Sequence, residues 1–186
     1  MNISELDNYK DAYKIYNLLK VKNHPNIILY SNKNVDKTIL IKTIMNNIFN
    51  CKNIHVNEDL KYEYNDYYYY FNVKKIKHDI KNSFINIIKN ITNSYNYYTK
   101  KKNYIIIDNF EQINPIIENK LKVIFEKGSY STKFIILTSG ISKINEAIKS
   151  RFTCIRLPLL NYIDKGIYLN KYINENNIKI VKSKLN

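Results

Sequence analysis

Glycine is scarce in this chain of 186 residues: there are three, at positions 128, 140 and 166. None falls in the polar loop between Ser31 and Lys37, so a backbone wrapped at positive φ by glycine is excluded there. The two cysteines, Cys51 and Cys154, are too few and too distant for a disulfide framework, which points to a reducing compartment. No apolar run approaches the ~20 residues of a membrane span, and the N-terminus has no basic-then-apolar signal pattern. The expectation is an intracellular protein, not secreted and without a membrane partner. His24, His55 and His78 are isolated, with no ligand spacing around them, so no metal site is expected. Arginine is rarest of the charged residues: of 30 basic side chains 28 are lysine, leaving Arg151 and Arg156.

What is abundant is Lys, Asn, Ile and Tyr. The formal charge is +14 and the pI about 9.5, which calls for an anionic partner, nucleic acid before a membrane surface. The same four residues are those an A/T-rich genome favours, so codon drift onto solvated faces accounts for the lysine equally well. The length suits one domain with a real core.

The chain is organised around residues 104–156. Tyr104-Ile-Ile-Ile-Asp108 is a short apolar run ending in an acid, as in a strand of a parallel sheet covered on both faces. Asn114-Pro115 starts a helix with apolar Ile117, Leu121, Ile124 and Phe125, and Gly128 stops it. Lys133–Thr138 is a second strand; a short helix ending at Ser150-Arg151-Phe152 leads to a third, Thr153–Leu157. Alternation of this kind predicts a parallel α/β unit, with ligands bound beyond the carboxyl ends of the strands, where Asp108 and Ser139 lie.

Upstream, Ser4 can cap a first helix with Leu6, Tyr9, Tyr13 and Tyr16 on one face, ending before Pro25. Asn26–Tyr30 reads as a buried strand, followed by a polar loop, Lys37-Thr38 and a helix carrying Ile41, Ile44, Ile48 and Phe49. Strand, loop, Lys-Thr and helix is the layout of a phosphate-binding P-loop, G-x-x-x-x-G-K-[ST], but Ser31 and Asp36 stand at both glycine positions. Without those glycines the backbone cannot readily wrap its N–H groups around phosphates, and Asp36 adds a negative charge that can pair with Lys37. In the middle, Ile54–Val56 and Tyr62–Val73 have strand composition, the second run supplying one sheet strand. Its tyrosines can serve as packing or as a stacking surface for bases. A helix over 77–95 carries Ile80, Phe84, Ile87, Ile88 and Ile91. Lys74, Lys75, Lys77 and Lys81 gather at its start, either to meet DNA phosphates or as a solvated approach to the helix.

The ordered set of motifs resembles replication factor C small subunits and, more broadly, AAA+ clamp-loader subunits. Residues 26–38 look like their first strand and Walker A segment, Ile105–Glu111 like Walker B, and Ser139 falls at sensor 1. Ile148–Phe152 resembles the Ser-Arg-Cys motif, with Phe in place of Cys; Leu157-Pro158 and the run from Tyr168 to Ile180 resemble the start of a lid. The resemblance implies an α/β P-loop NTPase (AAA+) fold: a five-stranded parallel sheet flanked by helices over 1–160, a truncated helical lid over 161–186, and no collar domain. In an active member Lys37 would bind the β/γ-phosphates, Thr38 and Asp108 would hold Mg²⁺, and a glutamate after Asp108 would polarise water. Asn109 occupies that last position and Ser139 replaces the sensor Asn. The implied nucleotide site (Lys37, Thr38, Asp108, Ser139) is therefore degenerate, with no ATP or Mg²⁺ expected as cofactor and no enzyme activity of its own. Arg151 matches the arginine finger inserted into a neighbour's site; the alternative is that it caps the helix it ends. The implied partners are other clamp-loader subunits, a sliding clamp and primer–template DNA, at a nuclear or viral site of replication. A stand-alone nucleic-acid-binding relic of the fold, and an active AAA+ ATPase with an unusual loop, remain as other readings.

Overall fold

The computed structural model describes residues 12–33, 35–51, 53–59, 61–76, 81–94 and 102–158. The expected lid over 161–186, the N-terminal residues Leu6 and Tyr9, and Lys77 lie outside the described residues. Seven strands form one sheet: β1 (Ile27–Tyr30), β2 (His55–Asn57), β3 (Tyr62–Tyr64), β4 (Tyr68–Asn72), β5 (Asn103–Asp108), β6 (Thr132–Thr138) and β7 (Thr153–Arg156). Their spatial order is β2-β3-β4-β5-β6-β1-β7. The five strands from β4 to β7 in that order are mutually parallel, and β2 and β3 extend one edge antiparallel.

The aromatic run expected to be one strand is instead a hairpin. Asn65 Oδ1 accepts from the amides of Tyr67 and Tyr68, both at 2.9 Å, and so turns the chain between β3 and β4. An Asn-Asp pair inside a strand-like run is turn chemistry, and it outweighs the β preference of the flanking tyrosines.

Helices cover both faces. α1 (Ala12–Lys20) and α2 (Lys37–Phe49) lie on one; α3 (Lys81–Asn93), α4 (Pro115–Lys127) and the short α5 (Glu146–Lys149) on the other. Ile27, Leu29, Ile106, Ile135 and Leu137 face the first layer, while Ile28, Ile105, Ile107, Phe134 and Ile136 face the second. Strand residues alternate between faces, so a sheet covered on both sides needs apolar side chains at successive positions. In α1 the buried face is Ala12, Ile15 and Leu19, with Tyr13 exposed, which corrects the tyrosine face expected there.

α4 begins as expected, with Asn114 Oδ1 accepting from the Ile116 amide and Pro115 in the first turn. Gly128 does end it, but at φ −82°, in the right-handed region. Space, not positive φ, is what glycine supplies: a Cβ there would lie 3.0 Å from Thr92 Cγ2 and 3.3 Å from Phe134 Cζ.

Candidate functional site

Register alignment brings Tyr30, Thr138, Asn72 and Asp108 to the carboxyl edge of the sheet. The Ser31–Asp36 loop and the first turn of α2 sit over that edge. Asp36 is the N-cap of α2, its Oδ1 accepting from the Ile39 amide at 3.2 Å. The Lys37 amide donates to the Val35 carbonyl at 2.9 Å. Among the described residues of the loop none has positive φ. Asp36 accepts no hydrogen bond from Lys37 Nζ, whose protons go elsewhere, and acts on it only through its charge. Its carboxylate takes the anion position that a helix N-terminus offers.

Lys37 is buried and turned back onto its own loop. Its Nζ donates to Ser31 Oγ at 3.0 Å and to the carbonyls of Asn32 and Val35, each at 3.3 Å. An ammonium has three protons, and these contacts use all of them. Burial pulls its pKa below the ordinary lysine value; Asp108, Glu111 and Asp36 push the other way, and Lys74 adds to the lowering.

Asp108 ends β5, is buried, and accepts hydrogen bonds on both carboxylate oxygens. Its Oδ2 accepts from Thr38 Oγ1 and from the Tyr70 hydroxyl, both at 2.7 Å, and its Oδ1 from the Asn109 amide at 2.7 Å. Tyr70 lies beneath Lys42, whose Nζ is 4.1 Å from the ring centroid and pairs with Glu63 at 2.5 Å. Burial first, then the hydrogen bond to Asp108, raises the Tyr70 phenol well above its ordinary value, so it remains a donor. Asn109 holds a left-handed conformation (φ 56°) and donates from Nδ2 to Asn72 Oδ1 at 3.1 Å.

Ser139 follows β6 and is held by Glu111, which a 3-10 turn over Phe110–Gln112 carries to it. Glu111 accepts from Ser139 Oγ at 2.5 Å, the Ser139 amide at 3.2 Å and Thr138 Oγ1 at 2.9 Å. Burial alone would raise its pKa, but the hydrogen bonds from Ser139, its own backbone and Thr138 together bring it below the usual carboxylate value.

The structure thus gathers Lys37, Thr38, Asp108 and Ser139 at one edge, as expected, and adds Tyr70 and Glu111, which sequence reasoning gave no site role. An acid three residues past Asp108 was the available signal for Glu111; Tyr70 had none, being one of five consecutive aromatics. Lys74 and Lys75 are exposed in the turn after β4, at the same edge. Lys81 opens α3. Arg151 lies away from this cluster. Its Nη2 pairs with Glu126 of α4 at 2.5 Å, and its Nη1 donates to the Ala147 carbonyl of α5, so its exposed guanidinium does cap that helix. Among the described residues no group of His, Cys, Asp and Glu could hold a metal, and no helix is long and apolar enough to cross a membrane.

No protein-family profile matches the sequence, and no curated protein matches it. Solved structures do. A RuvB variant from Thermotoga maritima superposes at TM-score 0.61 with 10% identity, covering 92% of this chain and 51% of that one. A DNA polymerase III gamma subunit-related protein from the same organism gives 0.59 and 10%, covering 89% and 52%. The chain spans about half the length of either. At that identity the likeness shows the fold alone, an α/β fold built on a mostly parallel sheet flanked by helices. The motif resemblance, not the structural likeness, is what implies a nucleotide with a divalent cation. In this arrangement Lys37 is engaged by its own loop, Asp36 stands at the helix N-terminus, and both oxygens of Asp108 accept hydrogen bonds.

Proposed function

We propose that this chain is a non-hydrolysing, clamp-loader-like subunit. It acts inside the cell with nucleotide-bearing relatives to place a sliding clamp on primer–template DNA. The observation that carries the non-hydrolysing part is the self-occupied loop: an ammonium satisfied by its own carbonyls beneath a carboxylate that repels a polyphosphate. Asn109 supports it from the other side of the pocket. A neutral amide held by Asn72 has no basic oxygen to polarise water, as a carboxylate would.

In such an assembly Arg151 is the useful group this chain can give away. It projects at the end of α5, and a guanidinium inserted into a neighbour's site offsets charge on the transferring phosphoryl group, an effect worth ~10³–10⁵ in rate in related NTPases. Glu126 parks it until a neighbour's nucleotide competes for it. Lys74 and Lys75, both exposed, supply sequence-independent contacts to phosphates.

The test is reconstitution with co-purifying partners that carry intact P-loops. Arg151→Ala is expected to lower the partners' DNA-stimulated ATPase by at least tenfold while leaving the melting temperature of this chain nearly unchanged. Normal turnover in the mutant complex would reject the finger, and rapid hydrolysis by this chain alone, abolished by Lys37→Ala, would reject the subunit's assigned role.

A further inference from the structure

The reading of the pocket as non-hydrolysing leaves open what keeps a cation out of it, and the geometry at Asp108 answers that. A metal shared by Thr38 and Asp108 would have to sit against Asp108 Oδ2. That oxygen has about two lone-pair sites, and two hydroxyl donors at 2.7 Å fill them. Thr38 is part of the loop–helix pattern; the second donor, Tyr70, comes from a different strand. It is 4% exposed. Lys42 over its ring, paired to Glu63 of the neighbouring strand, holds it from above. Swinging the phenol away would forfeit the contact between Lys42 and the ring and leave a buried carboxylate short of a donor, and an unsatisfied buried acceptor costs more than an ordinary hydrogen bond contributes.

We propose that Tyr70 is a built-in replacement for the divalent cation: its hydroxyl proton occupies the metal's place on Asp108 and makes the pocket reject metal-bearing triphosphates. The proposal rests on the non-hydrolysing reading and names the side chain that enforces it. Glycine loss alone would weaken phosphate binding but would leave the cation position open. Tyr70 closes it separately, so the two defects are separable by mutation.

Tyr70→Phe removes the hydroxyl and keeps the ring under Lys42, so the fold is expected to survive. Mn²⁺ is titrated into the full chain and followed by the loss of the free-ion EPR signal, with and without ATP. Wild type is expected to show no saturable site. Tyr70→Phe should bind one Mn²⁺ at least tenfold more tightly than wild type, and Tyr70→Phe/Asp108→Asn should lose the gain. Mn²⁺ should raise the melting temperature of Tyr70→Phe and not that of wild type. Adding Asp36→Gly to Tyr70→Phe should make ATP binding Mn²⁺-dependent and reversible by EDTA. If wild type and Tyr70→Phe are equally inert, this inference fails and the subunit reading stands. If wild type already binds Mn²⁺–ATP saturably, both fail.

Discussion

His24 is buried between α1 and β1, with Nδ1 2.7 Å from the Pro25 carbonyl and Nε2 3.0 Å from the Tyr104 hydroxyl. Burial first, opposed by the Pro25 contact and aided by Lys133 and Lys102, lowers its pKa from 6.5. The folded state therefore prefers the neutral ring. Below 6.5 the unfolded chain binds the proton more readily, so this stabilisation is complete above that pH and is lost as pH falls toward the lower folded value. Glu111 acts in the same direction in a more acid window: its depressed folded value gives stability above 4.5 that disappears as pH drops through it. Urea midpoints measured against pH should fall in two stages. His24→Gln should remove the upper stage alone; an unchanged upper stage would show that another group titrates there. Lys37 makes a different prediction at the same scale. If its three contacts hold the loop, Lys37→Met should destabilise the fold by about 1–3 kcal/mol, because Ser31 and two carbonyls lose their donor. A lysine waiting for phosphate would be lost at no such cost. Asp108, Ser139, Lys37 and Thr38 could be read from the sequence because each lies at a fixed offset from a strand or helix end. Tyr70 could not, and Glu111 only by its spacing from Asp108, since their partners are 38 and 27 to 28 residues away and meet through strand register.

Elements were legible where one physical signal dominated. β5 and β6 carry continuous apolar runs, Tyr104–Ile107 and Phe134–Leu137, because both faces are covered, and α4 announces itself by Asn114-Pro115. The β3–β4 hairpin was hidden because ten residues of Tyr, Phe and polar alternation look continuous until the side chain of Asn65 is placed. Gly128 was found at the right position for a different reason, which yields a test of the α3–α4 contact. Gly128→Ala should destabilise by about 1–3 kcal/mol through crowding of Thr92 and Phe134. Thr92→Ser removes the nearest methyl and should recover part of the loss; additive losses in the double variant would show that the backbone, not the methyl, is at fault.

Across the whole molecule, a mostly parallel α/β scaffold presents a carboxyl edge lined by its own hydrogen-bonded side chains. Its positive charge has to be separated from composition by a measurement that isolates phosphate contacts. In the assembled complex, Lys74→Glu with Lys75→Glu should weaken binding to primed DNA and flatten the dependence of log affinity on log salt by roughly two units; a full salt slope in the isolated chain would favour a stand-alone binder instead. Whether this pocket is shut from within can be read by titrating the purified chain with Mg²⁺–ATP in a calorimeter. Featureless heats up to millimolar nucleotide are predicted. A saturable 1:1 isotherm that vanishes in Lys37→Ala would show instead that the pocket is open to nucleotide.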